Sequence, residues 1–142
     1  AGNYADGKAF REWNVLQDIE SARRFCELCQ VETLFLPHEV GNKVFTDQLG
    51  SDNPITFCMR TFCEEWAKKP ADGFRRESWD PVTCMIALNE NDEKFVYSDY
   101  GKIAVEPDGT TVFTPDPNGK DRYVSVKSDL AAIESELNGI LK

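Results

Sequence analysis

Apolar positions recur along this chain with first a helical and then an alternating period, and the changes of period mark its elements. From Asp18 to Gln30 the apolar residues Ile19, Ala22, Phe25, Cys26 and Cys29 fall at three- and four-residue spacing, which places them on one face of a helix. Asp18 stands just before the first of them and suits an N-cap. The run VETLFLP follows at once and reads as a short strand ending at Pro37. A helix followed by a buried strand is half of the alternation that builds a parallel sheet.

After His38 the stretch GNKVFTDQLGSDNP is loop-like, with room for one helical turn after Thr46. Asn53-Pro54 opens a second helix with proline in its first turn, and Ile55, Cys58, Met59, Phe62 and Trp66 give it a broad apolar face. KKPADGFRRES ends that helix, and a third begins at Ser78. Its segment PVTCMIAL is apolar on nearly every side and is expected to be buried on several. From Lys94 the period shortens to that of strands, broken by Asp-Gly and Asn-Gly, the dipeptides that favour hairpins. SDLAAIESELNGILK closes as a helix with Leu130, Ile133, Leu137 and Ile140 on one face. No repeats or low-complexity tracts interrupt residues 1–142, which read as one partial α/β domain. The expected architecture is part of an open parallel sheet with helices, a small antiparallel hairpin region and a C-terminal helix.

That pattern is unbalanced. One candidate parallel strand faces three helices with apolar faces, and a parallel strand needs neighbours on its edges. Either further strands are hidden in the sequence, or the rest of the sheet belongs to another piece of polypeptide. We favour the second.

Composition narrows the function classes. A formal charge of −9 opposes non-specific grip on a nucleic-acid backbone, which requires Lys and Arg to displace counterions. No apolar run approaches the ~20 residues of a membrane span. The opening AGNYADGKAF lacks the basic start and apolar stretch of a signal peptide. Cys26 and Cys29 form a CxxC within a helical pattern rather than at a helix start, where the dipole would lower a thiol pKa. With His38 the single histidine, a zinc site has no second ligand pair, so the cysteines are expected to be buried and reduced. Free thiols favour a cytoplasmic setting, with export after processing as the alternative. His38 is expected to be structural.

Two short constellations bear on chemistry. Glu12-Trp13-Asn14 places a carboxylate and a carboxamide two residues apart; in an extended segment both would face one polyol ligand. The competing role is a turn with two capping polar groups. In Ser78-Trp79-Asp80-Pro81, proline suits the first turn of the third helix and makes Asp80 a natural N-cap. Alternatively Asp80 contributes to a hard-cation site, where it would need partners, and Trp79 stacks on a planar ring.

The order of these segments resembles the second half of the nucleoside hydrolase family over essentially the whole chain. The segments concerned are a glycine-containing loop at Gly2-Asn3-Tyr4, REWNVLQDIESARR, VETLFLPHEVG, a helix opened by Asn-Pro and ESWDPVTCMIAL; a hairpin region and a final helix follow. The resemblance implies that Glu12 and Asn14 hydrogen-bond ribose hydroxyls, that Asn3 adds a ribose contact, that Trp79 stacks on a purine-leaning base, and that Asp80 is a calcium ligand. It also implies a ligand of the nucleoside or ribose class and cleavage of the N-glycosidic bond. Family members open with an Asp-rich motif that supplies most calcium ligands and the carboxylate activating water. Here DQLGSDN and NENDE come after Glu-Trp-Asn instead of before it, so no catalytic residue is assigned in this chain. The expectation is a calcium-dependent hydrolase portion that is inactive without a complementary N-terminal half. The alternatives are a non-catalytic nucleoside- or ribose-binding module and an interaction domain that forms homo-oligomers.

Overall fold

A computed structural model describes residues 2–5, 7–89, 93–127 and 129–142. The chain forms two compact units, Ala1–Val40 with Asp92–Ser128 and Gly41–Asn91 with Asp129–Lys142, and its path enters each of them twice.

In the first unit, helices α1 (Trp13–Gln17) and α2 (Ile19–Leu28) are separated by Asp18. The Asp18 carboxylate accepts the Ser21 N–H at 2.9 Å, as the sequence predicts for an N-cap. Hydrogen bonds from the Ser21 hydroxyl and amide hold this carboxyl below its ordinary range. The apolar face of α2 lies on β5 (Gly101–Val105), although none of its residues is fully buried and Phe25 remains 51% exposed. Strand β1 (Thr33–Phe35) follows and the buried Pro37 ends it, close to the expected limits.

The Asp108-Gly109 hairpin is present. β5 and β6 (Thr111–Pro115) pair antiparallel from Gly101↔Pro115 to Val105↔Thr111, and the Gly109 N–H closes the turn on the Glu106 carbonyl. In β5 the buried positions Gly101, Ile103 and Val105 alternate with exposed Lys102 and Ala104, the period-2 signature of a half-covered strand. The Asn118-Gly119 turn does something else. Instead of folding the chain back on β6, it carries it across β5, so that β7 (Asp121–Val126) lies on the far side in the order β1-β7-β5-β6. Gly119 crosses the Gly101 backbone so closely that a Cβ at 119 would overlap the Gly101 carbonyl.

Strand β7 has β1 beside its first half, parallel, from Thr33↔Asp121 to Phe35↔Tyr123. Beside its second half is β4 (Phe95–Tyr97), antiparallel. The expected open parallel sheet is therefore reduced to one parallel pair, and every other ladder among the described residues is antiparallel. The physical reason is connection length, since short turns return strands antiparallel whereas parallel neighbours need a long crossover. The chain is thus a mixed α/β fold.

Asp121 occupies the centre of this sheet. It is 1% exposed, pairs with Thr33 on one side and Gly101 on the other, and its carboxylate accepts the Ile103 N–H at 2.8 Å. Lys120 Nζ, 2.6 Å away, supplies the countercharge. The same unit buries Ile103, Val105 and Val124 and gathers the Tyr4, Phe113 and Tyr123 rings in one cluster. Burial pushes the Tyr4 hydroxyl up to about 12, so it stays a neutral donor to Thr111 Oγ1.

A helical turn, α3 (His38–Gly41), leads into the second unit. There α4 (Pro54–Thr61) starts where Asn53-Pro54 predicts, with Asn53 Oδ1 accepting the Ile55 N–H at 2.9 Å. The face it buries differs from the expected one. Thr56, Met59 and Cys63 are buried, while Cys58 is exposed, Phe62 borders solvent and Trp66 is 78% exposed. Cys58 is exposed already within the regular turns of α4; the continuation Phe62–Ala67 is π-helical, and its wider turn rotates Trp66 away from the stripe that a regular α-helix would form. Lys68, at φ 52, ends this stretch in the left-handed region.

Strands β2 (Phe45–Thr46) and β3 (Arg76–Glu77) make a two-stranded antiparallel ladder, followed by α5 (Trp79–Leu88) and α6 (Leu130–Ile140). α5 buries Val82, Met85 and Ile86 but leaves Cys84 and Leu88 in solvent, so its uniformly apolar sequence covers one face rather than several. α6 contributes Ile133 and Leu137, whereas Ile140 is exposed. Asn138, also buried, accepts the Asp47 N–H and donates to the Phe45 carbonyl, tying α6 to β2. No helix among the described residues is long and apolar enough to cross a membrane.

Asp121→Ala removes the acceptor of the Ile103 N–H and strands Lys120, and is expected to cost about 2–4 kcal/mol. Asp121→Asn keeps an acceptor and is expected to cost less. Urea unfolding followed by circular dichroism measures both; equal midpoints for the alanine variant and the parent would remove Asp121 from its central role.

Candidate functional site

Glu12 and Asn14 do not sit in an extended segment. Glu12 is the N-cap of α1, and its Oε2 accepts the N–H groups of Asn14 at 3.0 Å and Val15 at 3.2 Å. Asn14 is the second helical residue, and its exposed side chain is not paired with Glu12 across an extended backbone. The capping role has physical priority, because the first amides of a helix have no intrahelical partner and a nearby carboxylate satisfies two of them.

Asn3 lies in the loop before α1, half-buried, and its Oδ1 is buried with no donor among the described residues. The same loop is held by Glu39 of α3, which is 8% exposed and whose Oε1 accepts the Tyr4 N–H at 3.0 Å and the Ala5 N–H at 2.7 Å. Glu39 Oε2 is likewise buried without a donor among the described residues. Such oxygens call for a donor, whether water or a hydroxyl. Glu39 carried no signal in the sequence, since a glutamate inside HEVG reads as a solvated helix position. His38 opens the same turn and stacks on Phe10 at 4.0 Å, in keeping with a structural role.

Trp79 and Asp80 belong to the second unit. The N-cap of α5 is Ser78, not Asp80 as expected. Ser78 is 1% exposed; its N–H donates to the carbonyls of Gly41 and Val44, and its hydroxyl donates to the Arg76 carbonyl and shares a 2.7 Å hydrogen bond with Thr46. This network fixes the start of the helix one residue before Trp79. Gly41 completes the seat, because a Cβ there would overlap both the indole ring and the backbone of Trp79.

Trp79 and Asp80 line a hollow of about 480 Å³ together with Arg76, Glu77, Ile55 and Met59. The Arg76 guanidinium lies 5.6 Å from the Trp79 ring centre and 4.7 Å from that of Phe62, and it pairs with the Glu77 carboxylate at 2.5 Å. The walls thus combine an aromatic ring, apolar side chains, one guanidinium and two carboxylates, with Asp80 exposed in the first turn of α5. A volume of this size is typical of small-ligand sites. Arg76 and Glu77 are functional candidates that the sequence did not single out; their only sequence signal was position, immediately before Ser-Trp-Asp.

The described residues by themselves do not fit a calcium ion. Calcium takes six to eight oxygens, and no group of three or more His, Cys, Asp or Glu among the described residues is placed to hold a metal. Of DQLGSDN, Asp47 is paired with Arg75 and Asn53 caps α4; of NENDE, Glu90, Asn91 and Asp92 lie outside the described residues.

The cysteines are all free but, contrary to expectation, mostly not buried. Cys63 alone is buried, Cys26 and Cys29 are half-exposed, and Cys58 and Cys84 are exposed. The helical period counted them as apolar, and the faces that carry them meet solvent or hollows instead of core.

Comparison with protein-family models, with curated proteins and with solved structures finds no match to this chain.

Gly41→Ala forces a methyl group against Trp79 and is expected to lower stability by about 1–3 kcal/mol, with a changed near-ultraviolet circular dichroism spectrum. An unchanged spectrum and unfolding midpoint would show that Gly41 does not seat the indole.

Proposed function

We propose that this chain is the C-terminal portion of a nucleoside-hydrolase-like protein, that its hollow beside Trp79 takes the base of a ribonucleoside with purines favoured, and that alone it binds without cleaving. One observation carries the binding half of this reading: Trp79 and Asp80, the two residues that the family resemblance assigns to base and metal, share one hollow of about 480 Å³. A base stacked on an aromatic side chain gains about 1–3 kcal/mol, and the larger π-face of a purine gains more than that of a pyrimidine. The assignment of ribose contacts to Glu12, Asn14 and Asn3 rests on the resemblance.

Cleavage needs more than this chain offers. Breaking an N-glycosidic bond requires a water-activating group and stabilisation of charge on the sugar, and no described cluster provides both. Hydrolysis is therefore assigned to an assembly with an Asp-rich N-terminal half, which would bring the calcium ligands. Large apolar side chains left in solvent, Trp13 at 71%, Trp66 at 78% and Leu88 at 85%, are consistent with a chain that has a complementary polypeptide.

The test is calorimetric titration of the intact chain with inosine, guanosine, adenosine and uridine, with and without chelator, beside a ribose-release assay. Binding is expected to be insensitive to chelator, weaker for uridine, and reduced about tenfold or more by Trp79→Ala; ribose release is expected only after the Asp-rich half of a calcium-dependent hydrolase is added. Absence of binding to every nucleoside at millimolar concentration would overturn the reading.

A further inference from the structure

We propose that Asn118-Gly119 is a self-modification site, at which the chain closes a succinimide and converts Asn118 to isoaspartate, and that the product loosens the crossing of β7 over β5. The sequence holds two Asn-Gly pairs, Asn118-Gly119 and Asn138-Gly139, and a glycine after asparagine leaves the following amide nitrogen unshielded by a side chain. The fold treats the two pairs in opposite ways. Asn138 lies within α6, is 6% exposed, and has its carboxamide tied at both ends: it donates to the carbonyls of Phe45 and Glu134 and accepts the Asp47 N–H. Asn118 is exposed in the turn at 116–119, and its carboxamide makes no hydrogen bond among the described residues.

One backbone hydrogen bond occupies the nitrogen that must attack. The Gly119 N–H donates to the Asp116 carbonyl at 2.8 Å, closing a turn with proline second and glycine fourth, and Asp116 Oδ1 accepts the Asn118 N–H at 2.9 Å. Releasing the first bond frees the nitrogen and takes only the local opening of a surface turn. Bringing the Gly139 nitrogen onto the Asn138 carboxamide requires the last turn of α6 to unfold and a buried side chain to leave its three partners.

The Gly119 nitrogen, having given up its proton, attacks the side-chain carbonyl carbon of Asn118. A C–N bond forms, the bond to the side-chain nitrogen breaks, and ammonia leaves, closing a five-membered succinimide. Water then opens the ring. Attack at the main-chain carbonyl breaks its bond to the Gly119 nitrogen and leaves isoaspartate; attack at the side-chain carbonyl leaves aspartate. One water is consumed and one ammonia released, with no change of oxidation state.

The product matters because this turn leads straight into the crossing. Isoaspartate routes the main chain through the side-chain carbon of residue 118, adding about 1.5 Å of chain just before Gly119. There the backbone passes so close to Gly101 that no Cβ would fit between them. Directly after come Lys120, whose carbonyl accepts the Thr33 N–H at 3.0 Å, and Asp121, whose carboxylate takes the Ile103 N–H. A longer chain ahead of a fixed junction displaces either the turn or the register of the junction, and either lowers the stability of the first unit.

The experiment incubates the full folded chain at neutral and at mildly alkaline pH and follows it by peptide mapping with mass spectrometry, with enzymatic methylation of isoaspartyl carboxyls as the label. Asn118 is expected to convert at least about tenfold faster than Asn138, with isoaspartate among the products. Conversion is expected to quicken at the alkaline pH, because the attacking amide must lose its proton. The isoaspartyl form, separated by chromatography, is expected to unfold at a lower urea concentration than the fresh chain. Asn118→Asp adds the charge without lengthening the chain and is expected to keep the parent midpoint; Asn118→Gln is expected to hold its midpoint through the same incubation. Equal rates at the two asparagines, or an intact Asn118 at the alkaline pH, would overturn the site. An isoaspartyl form with the parent midpoint, or an Asn118→Asp variant as unstable as that form, would overturn the loosening.

Discussion

A buried carboxylate in the middle of a sheet must be fully satisfied, and Asp121 is satisfied by groups that define the first unit. Its backbone pairs with Thr33 on β1 and with Gly101 on β5, while its side chain takes an amide of β5 that no β7 carbonyl receives in a regular ladder. The pairing of β5 with β7 is a single residue pair, so the carboxylate extends by side chain what the backbone ladder leaves short. Sliding either neighbour by one residue would break that bond and turn the alternating face of β5 outward. The unit's one parallel pair and its single β5–β7 pair meet at this junction.

The second unit depends on an analogous buried point. Ser78 joins the Gly41 and Val44 carbonyls, Thr46 and Arg76 in one network, which sets both the two-stranded ladder and the first residue of α5. Trp79 is held in consequence, with the bare backbone of Gly41 beneath it and the Arg76 guanidinium within reach of its ring. A ring fixed in this way loses little freedom when a planar ligand stacks on it, which is the energetic case for reading the hollow as a binding site.

Local chemistry was legible in the sequence, and long-range pairing was not. Asp18, Asn53-Pro54 and Asp108-Gly109 act through neighbours a few residues away, and each lies where its local preference puts it. The crossing of β7 over β5 depends on Gly119 meeting Gly101, a contact that no period along the chain reports. The π-helical stretch keeps the apolar spacing of an α-helix but has different hydrogen bonds, so a helical period along the sequence misplaces Trp66. Among the candidate site residues, Trp79 and Asp80 come together in one hollow, while Glu12 is claimed by the amides that follow it. Ser78 takes the N-cap position in place of Asp80, and its hydroxyl bonds Thr46 and the Arg76 carbonyl rather than the amides of α5.

The interleaving of the two units has a consequence for how the chain acquires structure. Phe45 is bound by Glu134 across 89 positions, and the Phe45 carbonyl by Asn138 across 93. β1 likewise waits for β7. During synthesis, α4 and α5 would emerge from the ribosome well before Ile133 and Leu137 exist to complete the core they share. Each unit must hold an open, partly apolar first segment while residues of the other are being made, and closing so long a loop carries an entropic cost before any contact rewards it. Nascent chains of this arrangement are therefore natural clients for chaperones, more so than chains of equal length whose units follow one another in sequence.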